Sequence, residues 1–91
     1  MVKTIVFIHG WASGPEIWER QREYFAKDYE VILPDISPAK DITEAANIVN
    51  DSIKGKKDLV LIGWSLGWLA VLEALKSFYV RLKGVVAVNS T

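Results

Sequence analysis

Apolar residues along this chain follow two alternating patterns: short unbroken runs, and longer stretches in which they recur every three or four positions. Thr4 to His9 (T-I-V-F-I-H) is β-branched, aromatic and almost wholly apolar, which predicts a parallel strand buried on both faces. A loop, Gly10 to Gly14, leads to Pro15, which suits a first helical turn, and Ser13 with Glu16 has capping-box spacing. Ile17, Trp18, Tyr24 and Phe25 then fall on one helical face. Tyr29 to Ile36 reads as a second strand, ended by Pro34 and the turn residues Ser37-Pro38. Asp41 and Glu44 repeat the capping spacing before a stripe of Ile42, Ala45, Ala46, Val49 and Ile53. After the breaker Gly55 to Asp58, Leu59 to Gly63 predicts a third strand, Leu66 to Phe78 a third helix and Gly84 to Val88 a fourth strand.

Regular alternation of strand and helix implies right-handed crossovers and an α/β fold: a three-layer α/β/α domain on a four-stranded parallel sheet. No linker, repeat or low-complexity segment divides residues 1–91, so one domain is expected. Two surfaces look unfinished. The third helix is apolar nearly all round (Leu66, Trp68, Leu69, Ala70, Val71, Leu72, Ala74, Leu75), and such a helix is normally covered on more than one side. The last strand is uncharged from Gly84 to Val88, and as a sheet edge it would invite pairing with another strand.

Composition narrows the function. With 51% hydrophobic and 24% charged residues the chain is globular, yet 91 residues bury little enough surface that its stability margin is thin. Eleven basic and eleven acidic side chains cancel, leaving no footprint for nucleic acid or for a membrane surface. There is no cysteine, and His9 is the single histidine, so neither a disulfide nor a thiolate or histidine-cluster metal site is expected. No glycine-rich dinucleotide or P-loop motif occurs, and no cofactor is expected. The apolar stretch from Trp68 to Leu72 falls far short of the roughly 20 residues of a membrane span. Met1 to Thr4 runs directly into a strand pattern without a signal-peptide cleavage region, so a cytoplasmic protein is the default expectation.

The chemistry concentrates at two strand ends. Gly63-Trp64-Ser65-Leu66-Gly67 fits G-x-S-x-G, directly after a strand run and directly before a helix run, the context of a nucleophile elbow. Such a serine sits on a sharp turn where larger neighbours would collide with backbone, so glycines two before and two after relieve the crowding. The bland alternative is that Gly63 and Gly67 pack a tight turn and Ser65 is a helix cap. His9-Gly10-Trp11 closes the first strand and offers a second loop. An oxyanion hole takes one N–H from the residue after the nucleophile and one from a neighbouring loop, which makes Leu66 and Trp11 the candidates. His9 reads more readily as a histidine bonded to loop backbone than as a catalytic base, and Trp11 can also serve as a hydrophobic plug. Asp35 reads as a loop carboxylate, Lys54, Lys56 and Lys57 as a solvated turn, and Trp18 as core.

H-G-W at one strand end and G-W-S-L-G at the elbow, with I-W in the helix between and P-D after the second strand, resemble the α/β-hydrolases. Within them the pattern is most similar to the small bacterial carboxylesterases that include the pimeloyl-[acyl-carrier protein] methyl ester esterase of biotin synthesis. The resemblance implies spatial strand order 2-1-3-4, and a single domain equivalent to the amino-terminal part of that fold without its lid and carboxy-terminal half. It implies Ser65 as nucleophile, Trp11 and Leu66 as oxyanion or substrate contacts, and His9, Gly10, Gly63 and Gly67 as shapers of loop and elbow. The family's acid and histidine base would both lie beyond Thr91, and Trp68 stands where the family keeps a small residue. The implied substrate is a small-molecule or acyl-carrier ester. Two expectations follow: a serine carboxylic-ester hydrolase incomplete in acid and base, or a truncated or engineered module that self-associates as a homodimer without activity. A flavodoxin-like ligand-binding domain fits the alternation but leaves both motifs unexplained.

Overall fold

The computed structural model describes the backbone of residues 2–10, 12–74 and 82–88, and their side chains apart from those of Leu66, Trp68 and residues 82, 83 and 85–88. Four strands, β1 (Thr4–Ile8), β2 (Glu30–Ile32), β3 (Leu59–Trp64) and β4 (Leu82–Val88), form one parallel sheet in the order β2-β1-β3-β4. The helices between them are α1 (Glu19–Phe25), α2 (Ile42–Ser52) and α3 (Leu66–Ala74). β1 is buried at every position because it is central and covered on both faces. On one face Val6, Ile8, Leu59 and Leu61 pack against Ala45, Ala46 and Val49 of α2 and Ala70, Val71 and Ala74 of α3. On the other, Ile5 and Phe7 pack against Trp18, with Phe25, Tyr29, Ile62 and Trp64 around them. The second layer is thinner. Along β3, Leu59, Leu61 and Gly63 are buried while Val60, Ile62 and Trp64 are only half-buried, because α1 has seven residues with which to cover them.

Two elements differ from their sequence pattern. The segment after the first loop opens as a 3₁₀ turn, Pro15–Trp18, before becoming α1. A 3₁₀ turn advances three residues per turn rather than 3.6, so the apolar positions drift out of phase. Trp18 is buried against Phe7, ring centroids 4.9 Å apart, but Ile17 and Tyr24 are exposed rather than on the inward face. Ser13 is not the cap of this segment: Gly14 occupies that position and no side chain caps the turn. β2 is three residues long where eight were expected, since Leu33 leaves the ladder and Pro34 has no N–H to give. The carboxy-terminal part of the expected third helix, 75–78, lies outside the described residues.

α2 follows its pattern. The Asp41 carboxylate accepts from the Glu44 N–H at 2.8 Å and the Glu44 carboxylate accepts from the Lys40 N–H at 2.9 Å, so two donors at the helix start are satisfied. Asp41→Ala should therefore lower stability by about 1 kcal/mol, read as a shifted urea midpoint with unchanged slope.

Candidate active site

β1 and β3 are neighbours, but the chain leaves β1 towards β2 on one side and leaves β3 towards β4 on the other. Loops that part in opposite directions open a crevice at the carboxyl ends of those two strands, which is where open α/β sheets bind ligands. The residues singled out by sequence stand at that crevice. His9 and Gly10 follow β1, and Ser65 separates the last residue of β3 from the first of α3.

Ser65 is half-buried and has φ 56°, in the left-handed region. A non-glycine residue there costs roughly 1–2 kcal/mol, which the surrounding packing must overcome. A one-residue junction leaves no alternative: β3 must reverse direction into α3 within a single φ,ψ pair. α3 can then sit close because position 67 is glycine. A Cβ at Gly67 would lie 2.5 Å from the His9 carbonyl oxygen and 2.7 Å from that of Ile8, both backbone atoms of the central strand's end. Position 10 is also tight, since a Cβ there would meet the Trp64 ring at 3.3 Å. The two loops are thus fitted to each other through Gly67 against His9 and Gly10 against Trp64. The Leu66 N–H belongs to the first turn of α3, where backbone donors have no partner within the helix. Trp11 and the side chain of Trp68 lie outside the described residues.

His9 is fully buried, and its two ring nitrogens have assigned roles. Nδ1 lies 2.7 Å from the Gly10 carbonyl oxygen, which can only accept, so Nδ1 carries the proton. Nε2 lies 3.0 Å from the Ile36 nitrogen, whose N–H can only donate, so Nε2 offers its lone pair. Asp35 Oδ1 also stands 3.3 Å from Nε2. Asp35 is tied to Ser37, accepting from its hydroxyl at 2.5 Å and its N–H at 2.9 Å. Those bonds, the hydroxyl first, hold the Asp35 carboxyl below its usual range. Both ring nitrogens are engaged and the residue has no exposure.

Sequence reading missed one residue of the loop. The Ser13 hydroxyl donates to the Gly10 carbonyl at 3.1 Å and the Ser13 N–H donates to the same oxygen at 3.3 Å. The S-x-x-E spacing that suggested a helix cap suits a serine bonding back to the carbonyl three residues earlier equally well. Among the described residues no group of three metal-ligating side chains occurs, and no helix is long and apolar enough to cross a membrane. An open pocket of about 480 Å³ lined by Val2, Lys3, Asp28 and Tyr29 lies at the amino ends of β1 and β2, away from Ser65.

Comparisons with known proteins agree with this arrangement. Residues 5–91 match the profile of the Alpha/beta hydrolase family. A pimeloyl-[acyl-carrier protein] methyl ester esterase of Aromatoleum aromaticum is 32% identical over 76 residues, covering 76% of this chain and 30% of the esterase. An extracellular α/β-hydrolase from a Paenibacillus species, described as sharing structural and functional homology with tobacco salicylic acid binding protein 2, superposes with TM-score 0.78 at 25% identity. That likeness covers 93% of this chain and 39% of the other. The chain thus spans well under half the length of either relative. A parallel sheet in the order β2-β1-β3-β4, a serine in left-handed backbone between β3 and α3, and a family match over nearly the whole sequence converge: this chain belongs to the alpha/beta hydrolase family.

Proposed function

We propose that the chain is the nucleophile-bearing part of a serine hydrolase acting on carboxylic esters. The observation that carries this reading is the backbone of Ser65, φ 56° at a one-residue strand–helix junction, since strain of this kind persists where a function requires it. In the proposed reaction Ser65 Oγ attacks the ester carbonyl while a base takes its proton. The tetrahedral oxygen is held by the N–H groups of Trp11 and Leu66, and the alcohol leaves an acyl-serine that water hydrolyses. His9, Gly10, Gly63 and Gly67 shape the two loops. No metal or organic cofactor has a step in this chemistry. Neither acid nor base is assigned within these residues, because the single histidine is committed to the loop. The remaining length found in the relatives is their proposed source, with residues 1–91 forming one unit of the fold. The relative's name supports an ester of an acyl-carrier-bound acid as substrate, with a small-molecule ester as the other proposed class. The test is in-frame fusion of the chain to the carboxy-terminal remainder of the matched esterase. Hydrolysis of short-chain nitrophenyl esters that vanishes with Ser65→Ala supports the reading, and turnover indifferent to that change refutes it.

A second reading concerns the 91 residues alone and rests on their exposed apolar surface. Leu69 and Leu72 of α3 are 43% and 42% exposed, β4 is a sheet edge, and the α1 side of β3 is half-covered. Net charge +0 supplies no repulsion between copies. A two-fold homodimer burying the β4 edge and the outer face of α3 would cover these surfaces. Sedimentation at micromolar concentration should then show a dimer that Leu69→Lys with Leu72→Glu dissociates. A folded monomer for the unmodified chain removes this reading.

A further inference from the structure

Nε2 of His9 stands between two groups of opposite character. The Ile36 N–H, its nitrogen 3.0 Å away, can only donate, while the ionised Asp35 carboxylate, 3.3 Å away at Oδ1, can only accept. One ring nitrogen cannot serve both. Bare, it takes the N–H; protonated, it gives to the carboxylate. Nδ1 stays out of the exchange, since its proton is directed at the Gly10 oxygen, 2.7 Å away, in either state.

The two rivals are adjacent in the chain yet differently placed. Ile36 is buried in the core beside α2 and α3, where an N–H that loses its acceptor has no water to replace it. Asp35 is exposed, and the Ser37 hydroxyl and N–H hold its carboxyl below the usual range. It therefore remains an anion at the pH where histidines ordinarily titrate, between about 5 and 8. A carboxylate has about four lone-pair sites, so the bonds to Ser37 leave room for a ring N–H.

We propose that His9 and Asp35 form a proton-operated latch on the segment after β2. With Nε2 bare, the ring holds that segment through the Ile36 N–H. When Nε2 takes a proton from water, it releases the Ile36 N–H and grips Asp35 instead. The segment leaves β2 at the same edge of the sheet as Ser65, so mild acid loosens the chain beside the crevice. The latch does not depend on the hydrolase reading.

The other ionisable groups of the elements around the ring are accounted for. At the start of α2, the Asp41 and Glu44 carboxylates are committed to the N–H groups of Glu44 and Lys40, and the Lys40 side chain is exposed. The α3 turn against the His9 carbonyl, Leu66-Gly67, carries no charge, and Glu73 stands next to the last position of that helix. The end of β3, Gly63-Trp64, is uncharged.

Nuclear magnetic resonance on the isotopically labelled 91-residue chain, titrated from neutral pH into mild acid, tests the latch without any need for turnover. His9 is the only histidine, so its ring nitrogens give one unambiguous pair of signals. The expected starting pattern is a protonated Nδ1 and a bare Nε2. As Nε2 gains its proton, the Ile36 amide proton should move upfield and the Asp35 carboxyl carbon should shift at the same midpoint. Exchange of the Ile36 amide, corrected for its intrinsic pH dependence, should quicken about tenfold, the worth of one net backbone hydrogen bond. Asp35→Ala removes the acceptor, so in that variant Nε2 should gain a proton only as the chain unfolds. A ring that takes its second proton without moving Ile36 overturns the latch, as does an unmodified chain that unfolds first. A folded Asp35→Ala chain whose ring is protonated as readily as before overturns it too. Should Asp35→Ala fail to fold at neutral pH, the joint titration of the unmodified chain decides alone. The fusion experiment with Ser65→Ala judges the hydrolase reading separately, so either can fail without the other.

Discussion

Alanine at position 65 is expected to cost the fused, complete hydrolase about 10⁶-fold in kcat, the scale at which removing the nucleophile of a characterised serine hydrolase collapses turnover. What survives should be only the acceleration that positioned N–H groups and substrate binding can give without a covalent intermediate. The isolated chain should behave differently. On the proposed reading its acid and base come from outside these residues, so nitrophenyl ester hydrolysis should lie near background and barely respond to Ser65→Ala. A companion substitution separates chemistry from backbone. Ser65→Gly removes the same hydroxyl but relieves the left-handed φ of 56°. Glycine carries no steric penalty there, although it gains entropy when unfolded, so stability should stay level or rise by up to about 1 kcal/mol. Activity lost with stability kept is the signature of strain retained for function. A Ser65→Gly chain that is markedly less stable would show that the turn is held for packing instead.

How far such a site can be read in advance depends on whether its signal is local. G-x-S-x-G was legible because strand and helix patterns border it on both sides, and both periodicities are strong there. The order of apolar runs likewise made the parallel sheet readable, since each strand is set off by turn residues. β2 was overread because an edge strand uses one ladder, so continuing apolar character through Leu33 did not imply continuing pairing. The phase of the first helical segment was misjudged because nothing in P-E-I-W distinguishes a 3₁₀ start from an α start, and Ile17 turned outward as a result.

The loop after β1 was harder still. Ser13 and Glu16 satisfy a capping pattern on paper, but the cap position fell to Gly14, and the serine turned back to the Gly10 oxygen. His9 left several roles open in sequence. Its contact with Ile36, twenty-seven residues away, had no signal in the sequence. Two buried polar atoms have no partner among the described residues, Asn50 Oδ1 and the Trp18 indole N–H. The Trp18 ring is placed by its packing on Phe7, which leaves its nitrogen unexplained.

Of the glycines whose surroundings are described, Gly67 should be the one where an added methyl does most damage. Alanine is the better helix former by about 1 kcal/mol, and on an exposed helix the change would stabilise. Here the new Cβ would stand 2.5 Å from the His9 oxygen and 2.7 Å from the Ile8 oxygen. Neither atom belongs to a side chain that can rotate away. Both are backbone at the end of the central strand, which pairs with β2 on one side and β3 on the other. Relief requires α3 to lift off the sheet, and α3 carries Ala70, Val71 and Ala74, all fully buried. Overpacking of this kind costs typically 1–3 kcal/mol, and immovable neighbours on both contacts place it at or above the upper end. The net expectation is a loss of about 2 kcal/mol or more, a large part of what a domain this size possesses. Gly84→Ala is the control, because a Cβ there meets nothing among the described residues within 4 Å, and it should be neutral or slightly stabilising. Urea unfolding of both variants decides the matter. In the fused enzyme Gly67→Ala should also reduce turnover in molecules that remain folded, since the helix that lifts carries the Leu66 N–H away from the loop it faces. Equal stability for the two variants would mean that α3 approaches β1 less closely than the Gly67 contacts require.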